Sequence, residues 1–122
     1  MALINNLEIF EELEVDVDYL NPDLFQIIAN EYDNLTTNID GYPYLSKNDF
    51  EPIARRYFNY GRKDKFFTGT QYTESELNEK IDAWFHREVC AGSNLERSDV
   101  TYMEFMTHCR AFYIFGKYGL NI

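Results

Sequence analysis

The chain has 122 residues, 45% hydrophobic and 26% charged, which fits one globular domain and excludes a disordered polymer. Eleven Lys and Arg stand against 21 Asp and Glu, and the net charge of −10 argues against direct nucleic-acid binding. No apolar run approaches membrane-spanning length, no segment has the layout of a signal peptide, and two Cys are too few for a disulfide scaffold.

In chain order, Leu3, Leu7, Phe10 and Leu13 recur at near-helical spacing among four Glu and predict a short amphipathic helix over 3–14. The alternation in 15–20, VDVDYL, is too short to carry a sheet and reads as an extended connector. Asn21-Pro22 is a helix start, since Asn caps and Pro at the first position loses no hydrogen bond. The helix that follows runs to about Asp33 and buries Leu24, Phe25, Ile28 and Tyr32. Residues 34–45 read as a loop with Asp40-Gly41 as its turn.

The next helix is expected over 49–58, capped by Asn48 with Glu51 and holding Pro52 in its first turn. Phe50, Ile53, Ala54, Tyr57 and Phe58 fall on one face of it. A long loop over 59–72 contains Gly61 and Gly69. Thr73 with Glu76 forms a capping box, followed by the stripe Leu77, Ile81, Trp84, Phe85 and Val89. A loop over 91–98 surrounds Gly92. Thr101 with Glu104 repeats the capping box and opens a last helix to near Gly116, broadly apolar through Phe105, Met106, Cys109, Phe112 and Tyr113. The reading is a single all-α domain, a compact bundle of four to five helices with long loops. A small ribbon within those loops is the one departure it leaves open. No low-complexity tract and no exact repeat is present.

Charge is unevenly placed. Residues 1–46 hold ten acids and no Lys or Arg, whereas the rest of the chain holds 11 of each sign. The whole net charge therefore sits in the N-terminal segment, where self-repulsion costs stability unless a partner neutralises it. Two explanations are open: a docking surface for a basic partner, or a solvated face matched by bases of the same chain. The bases Arg55, Arg56, Arg62, Lys63 and Lys65 interleave with Tyr57, Phe58, Tyr60, Phe66 and Phe67. That pattern is expected to pack as core or loop, with the bases facing solvent or the acidic segment, rather than to bind a single strand.

Residues 32–50, YDNLTTNIDGYPYLSKNDF, resemble the calcium loop of the EF-hand family, which sets oxygen ligands at positions 1, 3 and 5 and Gly at 6. Thr36, Asn38, Asp40 and Gly41 match those positions, and Leu45, Ser46, Asp49 and Phe50 match the closing half. The loop is degenerate, with Thr at position 1, two inserted residues, and Asp49 in place of the bidentate Glu. Val100, Thr101, Glu104 and Phe105 resemble the closing half of a second loop. The resemblance implies a degenerate EF-hand pair in which Thr36, Asn38, Asp40 and Asp49 are the candidate metal ligands, with calcium bound weakly or not at all.

For chemistry the sequence offers little. His86, Cys90, His108 and Cys109 lack the spacing of a zinc site, and the two Cys read as buried thiols. His86 reads as a surface position. No nucleophile elbow or glycine-rich phosphate loop is present. The expectation is a non-catalytic protein without a cofactor. It would dock on a basic surface of a partner protein, with no membrane and no direct nucleic acid; an enzyme is the last reading, which only a pocket with perturbed titratable groups would revive. One version is an inhibitor whose carboxylates imitate the phosphates of DNA. Its expected contacts are Glu8, Glu11, Glu12, Glu14, Asp16 and Asp18, with Tyr19, Tyr42 and Tyr44. Tyr60 and Tyr72 are further loop tyrosines in this reading. The alternatives are an EF-hand-like adaptor that holds a partner helix and a structural subunit of a larger assembly. The cysteine usage fits an intracellular, cytoplasmic protein.

Overall fold

The computed structural model describes residues 23–35, 41–63, 72–93 and 96–120. In order they form helix α1 (Asp23–Asp33), strand β1 (Tyr44–Ser46), helix α2 (Lys47–Lys63), helix α3 (Glu74–Trp84) running into a π-turn (Phe85–Val89), strand β2 (Arg97–Asp99) and helix α4 (Tyr102–Tyr118). The fold is all-α, and among the described residues it has one antiparallel ladder of three residues a strand, in which Leu45 faces Ser98. That ladder is the ribbon the loops had room for. No helix among the described residues is long and apolar enough to cross a membrane. The helix expected over 3–14 and the connector over 15–20 lie outside the described residues, as does the Asn21-Pro22 start.

Two halves of the chain repeat one another. Each runs helix, loop, strand, helix, and the ladder joins the two loops. From the ladder onward the correspondence is a shift of 55 residues: Leu45 and Val100, Ser46 and Thr101, Asp49 and Glu104, Phe50 and Phe105, Gly61 and Gly116. Leu45, Val100, Phe50 and Phe105 are all buried. Before the loops the shift is 53, pairing the buried Leu24 and Ile28 with the buried Leu77 and Ile81.

The long helices α2 and α4 cross at the matched glycines. A Cβ on Gly61 would collide with the carbonyl oxygen of Tyr113 and lie 2.9 Å from the Lys117 amide nitrogen. A Cβ on Gly116 would collide with the carbonyl oxygen of Phe58 and lie 3.0 Å from the Arg62 amide nitrogen. The two sets of neighbours are again 55 apart, so the contact is reciprocal, like an isologous interface folded into one chain. Glycine is required at both positions because the backbones themselves touch.

This crossing corrects two expected boundaries. Gly61 reads as a loop residue in sequence, yet α2 continues through it to Lys63, and Tyr60 is helical. Gly116 reads as a helix end, yet α4 continues to Tyr118, and Gly119 stops it at a φ of 127°. The start of α2 also differs. The helix begins at Lys47, so Pro52 sits in the second turn rather than the first, on the exposed side. The Asn48–Glu51 capping pair gives way to Ser46, whose Oγ accepts the Asp49 backbone N–H at 3.2 Å and donates to Asp49 Oδ2 at 2.9 Å. The two capping boxes, Thr73 with Glu76 and Thr101 with Glu104, form as expected.

The stripes seen in sequence form the core. Phe50, Ile53, Ala54, Tyr57 and Phe58 of α2 and Leu77, Ile81 and Trp84 of α3 are buried, together with Phe85 and Val89 of the π-turn. Every residue of α4 from Phe105 to Phe115 but Thr107 is buried. Edge-on ring contacts link Phe50, Trp84, Phe112 and Phe115 at centroid distances of 5.2 to 6.0 Å. Such pairs add about 0.5–1.5 kcal/mol each beyond the area they bury.

Candidate functional site

Three segments converge at the loop end of the bundle. The β1–α2 junction brings Ser46, Lys47 and Asn48, the π-turn brings Phe85 and His86, and the start of β2 brings Glu96 and Arg97. Between them lies a cavity of about 420 Å³. That is within the ordinary size of ligand sites, and π-turns recur at functional positions.

The walls carry both signs of charge. Lys47 pairs with Asp82 of α3, and Nε2 of His86 lies 3.4 Å from the same carboxylate. The hydrogen bond from Lys47 holds the Asp82 carboxyl below its usual range, helped by the charges of Lys47 and His86. Arg97 lies over the Tyr44 ring at 4.8 Å from its centroid. The floor is Phe85, fully buried and 5.7 Å from the ring of Phe50. The site therefore offers fixed charges and an apolar base.

Of the residues expected to act, Tyr42 is exposed at 56% and Tyr44 is half-buried beside the cavity. Asp49 lies one residue from the cavity wall, in the first turn of α2, with its carboxylate turned to Ser46. Glu8, Glu11, Glu12, Glu14, Asp16, Asp18, Tyr19, Thr36, Asn38 and Asp40 lie outside the described residues. Met103, exposed at 66%, is a further apolar surface position that the sequence reading missed. His86 lies at the surface, where the sequence reading placed it, but was not grouped with Lys47, Glu96 and Arg97, because the four come from three separated segments. The shift of 55 was the legible signal, since it aligns the two loops.

The remaining chemistry-bearing groups are structural. Cys90 and Cys109 are buried, and burial pushes both thiols up, Cys109 well up. His86 is exposed and Cys90 buried, so the two do not share a face. Among the described residues no three His, Cys, Asp or Glu side chains gather as metal ligands would. Tyr57 donates to Glu31 Oε2 at 2.6 Å, and Arg56 pairs with the other oxygen of that carboxylate. Burial raises the Tyr57 phenol above its usual value, and the neighbouring Cys109 adds to the rise.

Of the bases of the aromatic stretch, Arg55, Arg56, Arg62 and Lys63 are engaged within the fold, and Lys65 lies outside the described residues. Arg55 reaches Glu74 at 2.7 Å and Glu51 at 3.5 Å, and also bonds Asn78. Arg62 lies over Phe58 and Tyr72, and Lys63 over Tyr60. Tyr72, half-buried, accepts the Leu120 backbone N–H at 3.1 Å and so fastens the end of α4.

Comparison with family models, with curated proteins and with solved structures returns no match for this chain.

Proposed function

We propose that this chain is a non-catalytic protein-binding module that docks through its acidic N-terminal segment on a basic surface of a partner protein, as a mimic of nucleic-acid charge. The observation that carries the reading is the charge ledger. Residues 1–46 hold the whole excess of ten acids. Meanwhile Lys47, Arg55 and Arg56 are drawn to Asp82, to Glu51 and Glu74, and to Glu31. Of these acids only Glu31 belongs to the N-terminal segment, so these three bases do little to cancel its charge. An uncompensated field of one sign steers a partner of opposite sign and weakens with salt.

The test is capture of partners on the immobilised full chain at about 0.1 M and about 1 M salt, where the screening length falls from about 10 Å to about 3 Å. A variant with Glu11, Glu12, Asp16 and Asp18 all changed to Lys runs beside it. Capture that is lost in high salt, lost in the variant and displaced by duplex DNA supports the reading. Capture by the variant at the unchanged level overturns it.

A second reading, the EF-hand-like adaptor, is favoured by the doubled helix, loop, strand, helix order and by the ladder between the loops. In that reading a partner helix is held between helix pairs, with calcium weak or absent. Calcium added to the chelator-treated protein raises its melting temperature if a loop binds the ion, and Asp40→Ala or Asp49→Ala removes the rise. A flat response to millimolar calcium removes calcium from the reading.

A further inference from the structure

Within α4, His108 is buried, and the indole Nε1–H of Trp84 donates to its Nδ1 at 3.1 Å. An indole nitrogen only donates, so this bond requires Nδ1 to be unprotonated and places the ring proton on Nε2. Protonation puts an N–H on Nδ1, facing the N–H of Trp84. The bond is then lost and two donors oppose each other inside an apolar site. Phe50 of α2 packs edge-on against the same imidazole, at 6.2 Å between centroids, and Trp84 at 6.1 Å.

We propose that Trp84 and His108 form an acid-released clamp: protonation of His108 frees α3 from α4 and opens the second helix-loop-helix unit. The groups around the ring define how it responds. From α3 it faces the uncharged indole, and from α2 the uncharged Phe50 ring. On its own helix, Glu104 is the charged group that acts on it, and its carboxylate favours the imidazolium. Burial outweighs Glu104 and lowers the His108 value from 6.5 to about 4. Glu104 is itself tied into the capping box, accepting the Thr101 backbone N–H at 2.8 Å.

The sign follows from linkage. The unfolded chain takes up the proton as pH falls through the ordinary histidine value, whereas the folded chain resists until about pH 4. The stability the clamp lends the fold is present in full above the ordinary value and is lost progressively across that window, and the bond itself breaks as pH falls through about 4. The matched position in α2, 55 residues earlier, is Ile53, which does not titrate. The device therefore belongs to the second half, and it stands independently of the docking reading.

Trp84 is the sole tryptophan, so its emission reports on the clamp without labelling. The experiment follows emission and urea unfolding of the full chain from pH 7.5 to about pH 3, at micromolar concentration because the isoelectric point near 4.5 falls inside the range. In the wild type the emission moves to the red as pH falls through about 4, where the folded chain takes up the proton. His108→Gln keeps an acceptor for the indole without a titrating ring, and it shows no such step. Within the window, each lowered pH unit raises the wild-type unfolding constant up to about tenfold relative to His108→Gln. An identical step in His108→Gln, or none in the wild type, overturns the clamp. If His108→Gln does not fold, Trp84→Phe is read by the His108 ring resonances. Loss of the donor to the neutral ring makes His108 titrate at higher pH than in the wild type, and an unchanged titration overturns the proposal.

Discussion

The two halves reach one architecture by different local means. The second half opens both of its helices with capping boxes, Thr73 with Glu76 and Thr101 with Glu104. The first half opens α2 with Ser46 and the shorter Asp49. The second half ends α3 in a π-turn that carries Phe85 and His86 to the cavity, and it holds α3 to α4 by the Trp84–His108 bond. At the matching places the first half has Glu31, which accepts from Tyr57, and the apolar Ile53. What the halves share is burial at matched positions and the reciprocal glycine crossing. The lesson is that close packing imposes the repeat, while caps, polar bonds and loop lengths are free to diverge around it.

The comparison breaks most severely at the crossing. Gly61→Ala and Gly116→Ala each drive a methyl into a carbonyl of the facing helix. Each is expected to lose at least about 3 kcal/mol in urea unfolding, beyond ordinary overpacking, because backbone rather than side chain must yield. Near-equal losses confirm the reciprocal contact, and a loss below about 1 kcal/mol in either one would show that the halves do not meet there.

The ladder comes next. Leu45→Ala removes a fully buried side chain and is expected to cost about 3 kcal/mol, with Val100→Ala at about 2 because fewer carbons are lost. Equal thermal stability of both variants and the wild type would mean the loops are not joined through these residues. The caps follow, with Thr73→Ala and Thr101→Ala expected to cost about 1 kcal/mol each. A larger loss for Thr101 would tie its box to the buried α4.

The smallest effect is at the cavity wall. Lys47 and Asp82 are both close to half exposed, so solvent screens their pair and Lys47→Met is expected to change stability by no more than about 0.5 kcal/mol. Because the Asp82 carboxyl is held down in the folded chain, whatever the pair contributes is present above the ordinary Asp value and lost as pH falls through the lowered one. Unfolding curves of wild type and Lys47→Met at neutral and acid pH check this, since their difference must shrink with acid.

Much of the fold is legible along the chain. The stripe from Leu77 to Val89 and both capping boxes announce themselves because helical periodicity and caps are local. Ser46 and Asp49 were harder to read, since Asn48 with Glu51 makes an equally good local pattern two residues on. Gly61 and Gly116 mislead for a clear reason. Glycine is a helix breaker by propensity, and only the opposing backbone makes it obligatory inside α2 and α4.

By itself, then, the sequence determined an all-α chain, its core stripes and the placing of its whole net charge before Lys47, because composition and periodicity are properties of neighbours in the chain. The tertiary structure decided what depends on residues far apart in it. It set the ladder that joins Leu45 to Ser98, the meeting of Gly61 with Gly116, the bond from Trp84 to His108 and the cavity shared by Lys47, His86 and Arg97. Each of these needs two or three segments to arrive at one point, and only the burial of the shared core brings them there.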